Sequence, residues 1–219
     1  MKLVLFSGGF ERENKKLNQA LVELTGKNNP SITYIPASSY GAEIEFREFV
    51  KRFRKFNVTK FLHFAVDVPF DKVIYEEAFK SDAIFLSGGN TFYFLQNLRK
   101  KKLLKDLKKF VERGGVLAGL SAGAIIMTPS INTAGFPEFD CDENEDGVMD
   151  WKAMGLVDFE FFPHFINSKR YGDEMKSYTE LSKYPLYASR DGSGIVIDGK
   201  DIKFIGEHYC FLKGACFKL

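Results

Sequence analysis

The residues best equipped for chemistry lie in Gly119-Leu120-Ser121-Ala122-Gly123-Ala124, which follows an apolar run and precedes Ile125-Ile126-Met127. A nucleophilic serine on a sharp strand-to-helix turn needs small neighbours, because the backbone there is strained and close to the following helix. Gly119, Ala122, Gly123 and Ala124 supply them. Such a turn lifts the hydroxyl above the C-terminal edge of a sheet, where α/β proteins gather ligands, and the helix start offers N–H groups to an oxyanion. The same pattern describes a tight turn with a capping serine, so its partners must decide. The chain has three histidines to act as a base. His63, inside Phe61-Leu62-His63-Phe64, and His208, beside Tyr209, read as core or sheet residues. His164, in Phe161-Phe162-Pro163-His164-Phe165, stands just beyond an apolar strand that a proline ends, and is the candidate general base.

An acid that orients the imidazole belongs on a neighbouring sheet end. Asp191, in Ser189-Arg190-Asp191-Gly192-Ser193, directly follows the apolar piece Leu186-Tyr187-Ala188. Asp-Gly is equally a turn signal, and Asp158, Glu160 and Asp198 stand as spare candidates. Oxyanion donors are expected from Ser87-Gly88-Gly89-Asn90-Thr91, where Gly88 and Gly89 let backbone approach a substrate closely, with Asn90 beside them and Ala122 across the elbow. A phosphate cradle is the competing reading of this turn and of Ser7-Gly8-Gly9. Neither carries the lysine or spacing of a P-loop, and G-x-G-x-x-G is absent.

These residues need a scaffold, and the chain supplies alternating apolar runs and amphipathic stretches. Lys2 to Phe6 is an apolar run closed by glycines, followed by a helical face of Leu17, Ala20, Leu21 and Leu24 within residues 11 to 24. The pattern recurs: a strand over 32–35, a helix over 43–56, a strand over 60–66, a helix over 71–80 and a strand over 83–86. A helix capped by the Thr91 hydroxyl follows, then one through Leu103, Leu104, Leu107 and Val111 that stops at Gly114-Gly115, then a strand over 116–119. Unbroken apolar strands separated by helices predict an α/β fold with a doubly wound, mainly parallel sheet flanked by helices. Residues 131–150 read as an irregular acidic loop. The C-terminal runs 194–197, 202–205 and 209–212 are short β segments, the last two forming an antiparallel edge set off by the turn Asp198-Gly199-Lys200-Asp201. No linker or repeat divides residues 1–219, which read as a single domain.

Composition narrows the partners. Thirty-one basic and 29 acidic side chains leave a formal charge of +2, so electrostatics give no nucleic-acid or membrane partner. The 23 phenylalanines call for bulky layers such as helices on a sheet. Cys141, Cys210 and Cys216 lack metal-site spacing, the start is too short for a signal peptide, and no apolar run reaches bilayer length. The expectation is a cytoplasmic protein, monomer or homodimer, with no metal or organic cofactor. Asp142-x-Asn144-x-Asp146-Gly147 copies half an EF-hand loop but has Ala153 where a bidentate Glu is required, and reads as acidic surface. The basic run Arg99-Lys100-Lys101-Lys102, with Lys105, Lys108 and Lys109, reads as a solvated helix face.

Taken together, Gly88-Gly89-Asn90-Thr91-Phe92, the elbow at Ser121, Gly155-Leu156, and Pro163-His164-Phe165 with Asn167 resemble the dipeptidase E (aspartyl dipeptidase) and cyanophycinase family in order and spacing over nearly the whole chain. The resemblance implies a scaffold similar to class I glutamine amidotransferases and a serine peptidase acting on short peptides through an acyl-enzyme. Ser121 would match the nucleophile, His164 the base, Asp191 the acid, where dipeptidase E has Glu, and the Gly88-Gly89 turn the oxyanion site. Aspartyl dipeptidases also imply an N-terminal Asp-Xaa substrate, but an Asp expected before a proline is replaced here by Ala134-Gly135-Phe136-Pro137. Reading an Asp side chain would need a cation, for which Lys169, Arg170 and Arg190 are the candidates. Glu138 or Asp140 would meet a free amino terminus. The alternatives are another acyl hydrolase on the same scaffold, cyanophycinase-like or an amidase, and a non-catalytic anion-binding domain.

Overall fold

Alternating apolar runs and amphipathic helices build a layered α/β structure in the computed structural model, which describes residues 1–219. The first half runs β1 (Lys2–Phe6), α1 (Lys15–Thr25), β2 (Ser31–Ile35), α2 (Ala42–Arg54), β3 (Lys60–His63), α3 (Lys72–Lys80) and β4 (Ala83–Leu86). Next come α4 (Thr91–Lys100), α5 (Leu103–Glu112), β5 (Val116–Leu120) and α6 (Ala122–Met127). After two short 3-10 turns the chain forms β6 (Glu160–Phe162), α7 (Lys169–Leu181), β7 (Leu186–Ser189), β8 (Gly194–Asp198), β9 (Asp201–Ile205), β10 (His208–Leu212) and β11 (Ala215–Lys218).

The main sheet has seven strands in the order β3-β2-β4-β5-β1-β8-β9. Its first five are parallel, while β8 runs antiparallel to β1 and β9 antiparallel to β8. Alternation along β1 shows how both faces are covered. Leu3 and Leu5 join α3, α4, α5 and α6 in one core, whereas Val4 and Phe6 point to the other side against Leu17 and Leu21 of α1 and Phe49 and Phe53 of α2. Much of the aromatic content sits there: Phe49 packs on Phe53, Phe85 and Tyr34 with ring centroids 4.6 to 4.9 Å apart. Apolar burial on both faces is what allows unbroken hydrophobic strands.

A second sheet, β11-β10-β7-β6, buries Phe162, Leu186, Ala188, Tyr209 and Phe211 against Met175 of α7. Here the structure corrects the expected C-terminal edge. The turn at 198–201 joins β8 to β9, and β9 does form an antiparallel edge of the main sheet, but β10 pairs with β7 and β11 rather than with β9. Gly206, at φ +96, ends β9 and marks the change of sheet. The expected Thr91 cap is also corrected: Asn90 is the cap of α4, its side-chain oxygen accepting from Tyr93 N–H at 2.9 Å. Within the basic run, Arg99 is not simply solvated, because its guanidinium binds the Asp150 and Lys152 carbonyls and pairs with the Asp150 carboxylate at 3.1 Å.

Candidate active site

The strand order sets three glycine-bearing turns side by side, since β4, β5 and β1 are neighbours and each ends at the same edge. Ser121 follows β5 with φ +48 and ψ −109, a conformation that L-residues rarely adopt and that surrounding packing must enforce. The glycines on either side of it are sterically required. A Cβ on Gly119 would lie 2.3 Å from the Gly123 carbonyl carbon, and one on Gly123 would lie 2.4 Å from the Leu86 oxygen. The elbow is thus clamped between β5, the start of α6 and β4.

His164 follows β6 after Pro163, also in the left-handed region at φ +55. Its Nδ1 lies 2.7 Å from Asp191 Oδ1, and its Nε2 lies 2.9 Å from Ser121 Oγ. An ionised carboxylate can only accept, so the Nδ1 proton is donated to Asp191, which leaves Nε2 bare to accept from the serine hydroxyl. The three residues predicted from sequence are therefore joined in one hydrogen-bonded line, although Ser121 comes from the main sheet and His164 and Asp191 follow strands of the second.

Two residues supporting this line escaped the sequence reading. The buried Ser7 hydroxyl accepts from His164 N–H at 2.8 Å and donates to the Ser189 carbonyl at 2.8 Å, tying β1 to both the histidine turn and the strand leading to Asp191. That carbonyl also accepts from Phe165 N–H at 2.9 Å. Gly8 lies flush against the pair: a Cβ there would sit 2.3 Å from Asp191 Oδ1 and 2.3 Å from His164 Cε1. The signal was Ser7-Gly8-Gly9 at the end of the first strand, with spacing that fits no phosphate loop. His208 is structural as expected. It is fully buried, donates from Nε2 to the Ile205 carbonyl at 2.9 Å and accepts from the Ser189 hydroxyl at 2.8 Å, and burial pushes its pKa down. Burial likewise lowers the pKa of His63, which packs against the rings of Tyr34 and Phe46.

The turn after β4 closes the other side of Ser121. A Cβ on Gly88 would be 3.6 Å from Ser121 Cβ, and Gly89 adopts φ +139 with Ala37 so close that a side chain there would clash. The N–H groups of Gly88, Gly89 and Ala122 enter none of the hydrogen bonds of the turns and loops. Asn90 differs from expectation, because its side chain is occupied by the α4 cap and by donation to the Glu143 carbonyl at 2.7 Å.

A cavity of about 270 Å³ opens beside Ser121 and His164, with Thr91, Ile125, Thr133, Phe162, Asp140 and Asp142 among its walls. Asp140 is thus placed where an amino group could reach it, whereas Glu138 does not line the cavity. Lys169 and Arg170, expected as substrate-binding cations, do not line it either. Ser168 caps α7, so both fall in the first turn of a helix, and the Arg170 guanidinium lies over the Phe139 ring, 3.5 Å from its centroid. Arg190 is paired with Glu207 at 3.2 Å. Asp140 accepts from the Tyr171 hydroxyl at 2.7 Å; partial burial and that carboxylate push the tyrosine up to about 12, which keeps it a donor. Asp142 accepts from Thr91 N–H at 2.8 Å, which ties the acidic loop to the start of α4, and Asn144 binds both backbone groups of Val148 within the loop. Glu160 is buried within the second layer, accepting from Ser130, Asn132, Tyr178 and Ser182, and does not face His164.

A mainly parallel sheet with a strained serine elbow at the C-terminal edge of its parallel strands, facing a histidine-carboxylate pair, is the architecture of an α/β enzyme built for serine chemistry. The chain belongs to peptidase family S51, whose model matches residues 3–205, and it is accordingly a serine-type peptidase. It is 28% identical over 206 residues to an uncharacterized peptidase of Listeria monocytogenes, covering 92% of this chain and 97% of the relative. It is 35% identical over 92 residues to peptidase E of Salmonella arizonae, covering 41% of this chain and 36% of that protein. The crystal structure of a peptidase from an acI-B1 Actinobacterium superposes with a TM-score of 0.72 at 18% identity, covering 100% of this chain and 93% of the other, and shares its fold. The non-catalytic alternative gives way to this family assignment. No helix is long and apolar enough to cross a membrane.

Proposed function

We propose that Ser121, His164 and Asp191 act as the catalytic triad of this peptidase and that it hydrolyses short peptides through an acyl-enzyme. The observation that carries the reading is the continuous line from Asp191 Oδ1 through both imidazole nitrogens to Ser121 Oγ, at 2.7 and 2.9 Å. Ser121 Oγ attacks the scissile carbonyl as its proton passes to Nε2, and Asp191 stabilises the imidazolium that results. The carbonyl oxygen gains negative charge, which the N–H groups of Gly88 or Gly89 and of Ala122 receive from either side of the elbow. Collapse breaks the C–N bond as His164 returns the proton to the leaving amine. A water, deprotonated by the same nitrogen, then releases the acyl group.

The small cavity supports short peptides over folded proteins. Resemblance to dipeptidase E puts Asp-Xaa dipeptides among the substrates to test, although the cavity walls supply no Lys or Arg to pair with an aspartyl side chain. The reading takes residues 1–219 as one peptidase unit, because the triad draws on both sheets. It needs no cofactor, nucleic acid or membrane, and holds for a monomer or a homodimer. Three unpaired cysteines support a cytoplasmic setting. The test is to incubate the protein and its Ser121→Ala variant with pooled dipeptides and tripeptides, including every Asp-Xaa pair, and to follow substrate loss by mass spectrometry. Loss of particular peptides only with unsubstituted protein is expected. Equal loss with Ser121→Ala would refute the assignment.

A further inference from the structure

The cavity beside Ser121 is acidic, and its acidity continues beyond it. Asp140 and Asp142 each accept one hydrogen bond through Oδ2, from Tyr171 and from Thr91 N–H, and their Oδ1 atoms accept none. Neither carboxylate takes part in any ion pair of the chain. A second cavity of about 460 Å³ shares Cys141 and Asp142 with the first and adds Glu143, Glu145 and Asp146 to its walls. Five carboxylates therefore line two cavities that share two wall residues and have no Lys or Arg among their walls. A further observation concerns the wall of the first cavity. Thr91 is 1% exposed and lines it, and its hydroxyl has no hydrogen-bond partner in the protein, a state that a buried polar group tolerates poorly. No group of His, Cys, Asp and Glu side chains here is arranged to hold a metal ion, so the charge calls for an organic cation.

We infer that this peptidase selects peptides carrying a Lys or Arg residue next to the cleaved bond, whose cationic side chain lies between Asp140 and Asp142 and points toward the second acidic cavity. The inference rests on the proposed active site, since the acidic walls specify a substrate only if Ser121 is where the bond breaks. An aspartyl side chain would bring a sixth carboxylate to a place with no cation, which opposes binding. The α-ammonium of any short peptide carries a single charge on a short reach. It would engage the first cavity alone, whereas a long basic side chain can use both.

The test separates this inference from the catalytic assignment by reading binding rather than turnover. The Ser121→Ala protein is titrated by NMR with Lys-Gly and Gly-Lys, their norleucine counterparts, and Asp-Gly and Gly-Asp, at low and high salt. A lysine peptide is expected to bind about tenfold or more tighter than its norleucine isostere, with the margin shrinking as salt is added. Asp142→Asn or Asp140→Asn, introduced in turn, should cut that margin by about threefold or more. Each Asn keeps an oxygen to accept from Thr91 N–H or the Tyr171 hydroxyl, and amide spectra report whether the fold is intact. Equal binding of norleucine peptides, tighter binding of aspartyl peptides, or absence of binding by every lysine peptide would overturn the inference. Turnover that survives Ser121→Ala would instead overturn the catalytic assignment and leave this comparison standing.

Discussion

Gly8 offers the sharpest test of how the site is held. Its backbone lies outside the left-handed region, so alanine can adopt it without strain, yet the added Cβ would stand 2.3 Å from both Asp191 Oδ1 and His164 Cε1. Ordinary van der Waals contact begins near 3.4 Å, so the pair must retreat by about 1 Å. Both side chains are about half exposed, at 49% and 52%, and can yield toward solvent while the backbone stays in place. Gly8→Ala is therefore predicted to leave the unfolding midpoint nearly unchanged and to lengthen the contact between Nε2 and Ser121 Oγ. A misplacement of about 1 Å costs on the order of 100-fold in rate, so kcat should fall by about that factor while KM changes little. The assay is steady-state hydrolysis of the best peptide from the library, alongside urea unfolding. Undiminished kcat in a folded variant would refute the claim that this histidine-aspartate geometry drives the reaction.

Other substitutions probe the surrounding framework. Ser7→Ala removes the hydroxyl that binds His164 N–H and the Ser189 carbonyl; it should lower stability by about 1–3 kcal/mol in urea unfolding and reduce kcat, with both partly restored in Ser7→Thr. Glu160→Ala leaves the side chains of Ser130, Asn132, Tyr178 and Ser182 without their buried acceptor, and should cost about 3 kcal/mol or more by the same measurement. Burial holds the pKa of His208 below that of the unfolded chain. As pH falls through about 6.5 the unfolded state takes up a proton that the native state refuses, so stability contributed by this residue declines at up to about 1.4 kcal/mol per pH unit until the folded pKa is reached. Unfolding free energies from pH 7.5 to 5 should show this slope, and His208→Gln should flatten it.

The main sheet was legible because its strands are buried on both faces and end in glycine turns, and the elbow because Gly119 and Gly123 have no room for a side chain. The candidate triad was legible because the chain has only three histidines, one of them placed after a strand-ending proline. The second sheet was harder. Helix α7 is polar, burying little beyond Met175 and Thr179, so its apolar stripe is too thin to read, and every residue of β11 is exposed. Without α7, Lys169 and Arg170 looked like free cations of a loop. Gly-Gly-Asn-Thr is also a helix-cap pattern, and the Asn90 side chain caps α4. Ser7 and Gly8 act on residues more than 150 positions away, a relation that local spacing does not carry.

The central claim is that the Ser121 hydroxyl, activated by His164, is the attacking group. The direct measurement is to react the protein with a fluorophosphonate and map the adduct by peptide mass spectrometry, in unsubstituted protein and in His164→Ala. The account predicts one adduct on Ser121, loss of peptidase activity in proportion to labelling, and labelling slowed by at least about 100-fold in His164→Ala. An adduct on a different serine, or full activity after Ser121 is labelled, would contradict it.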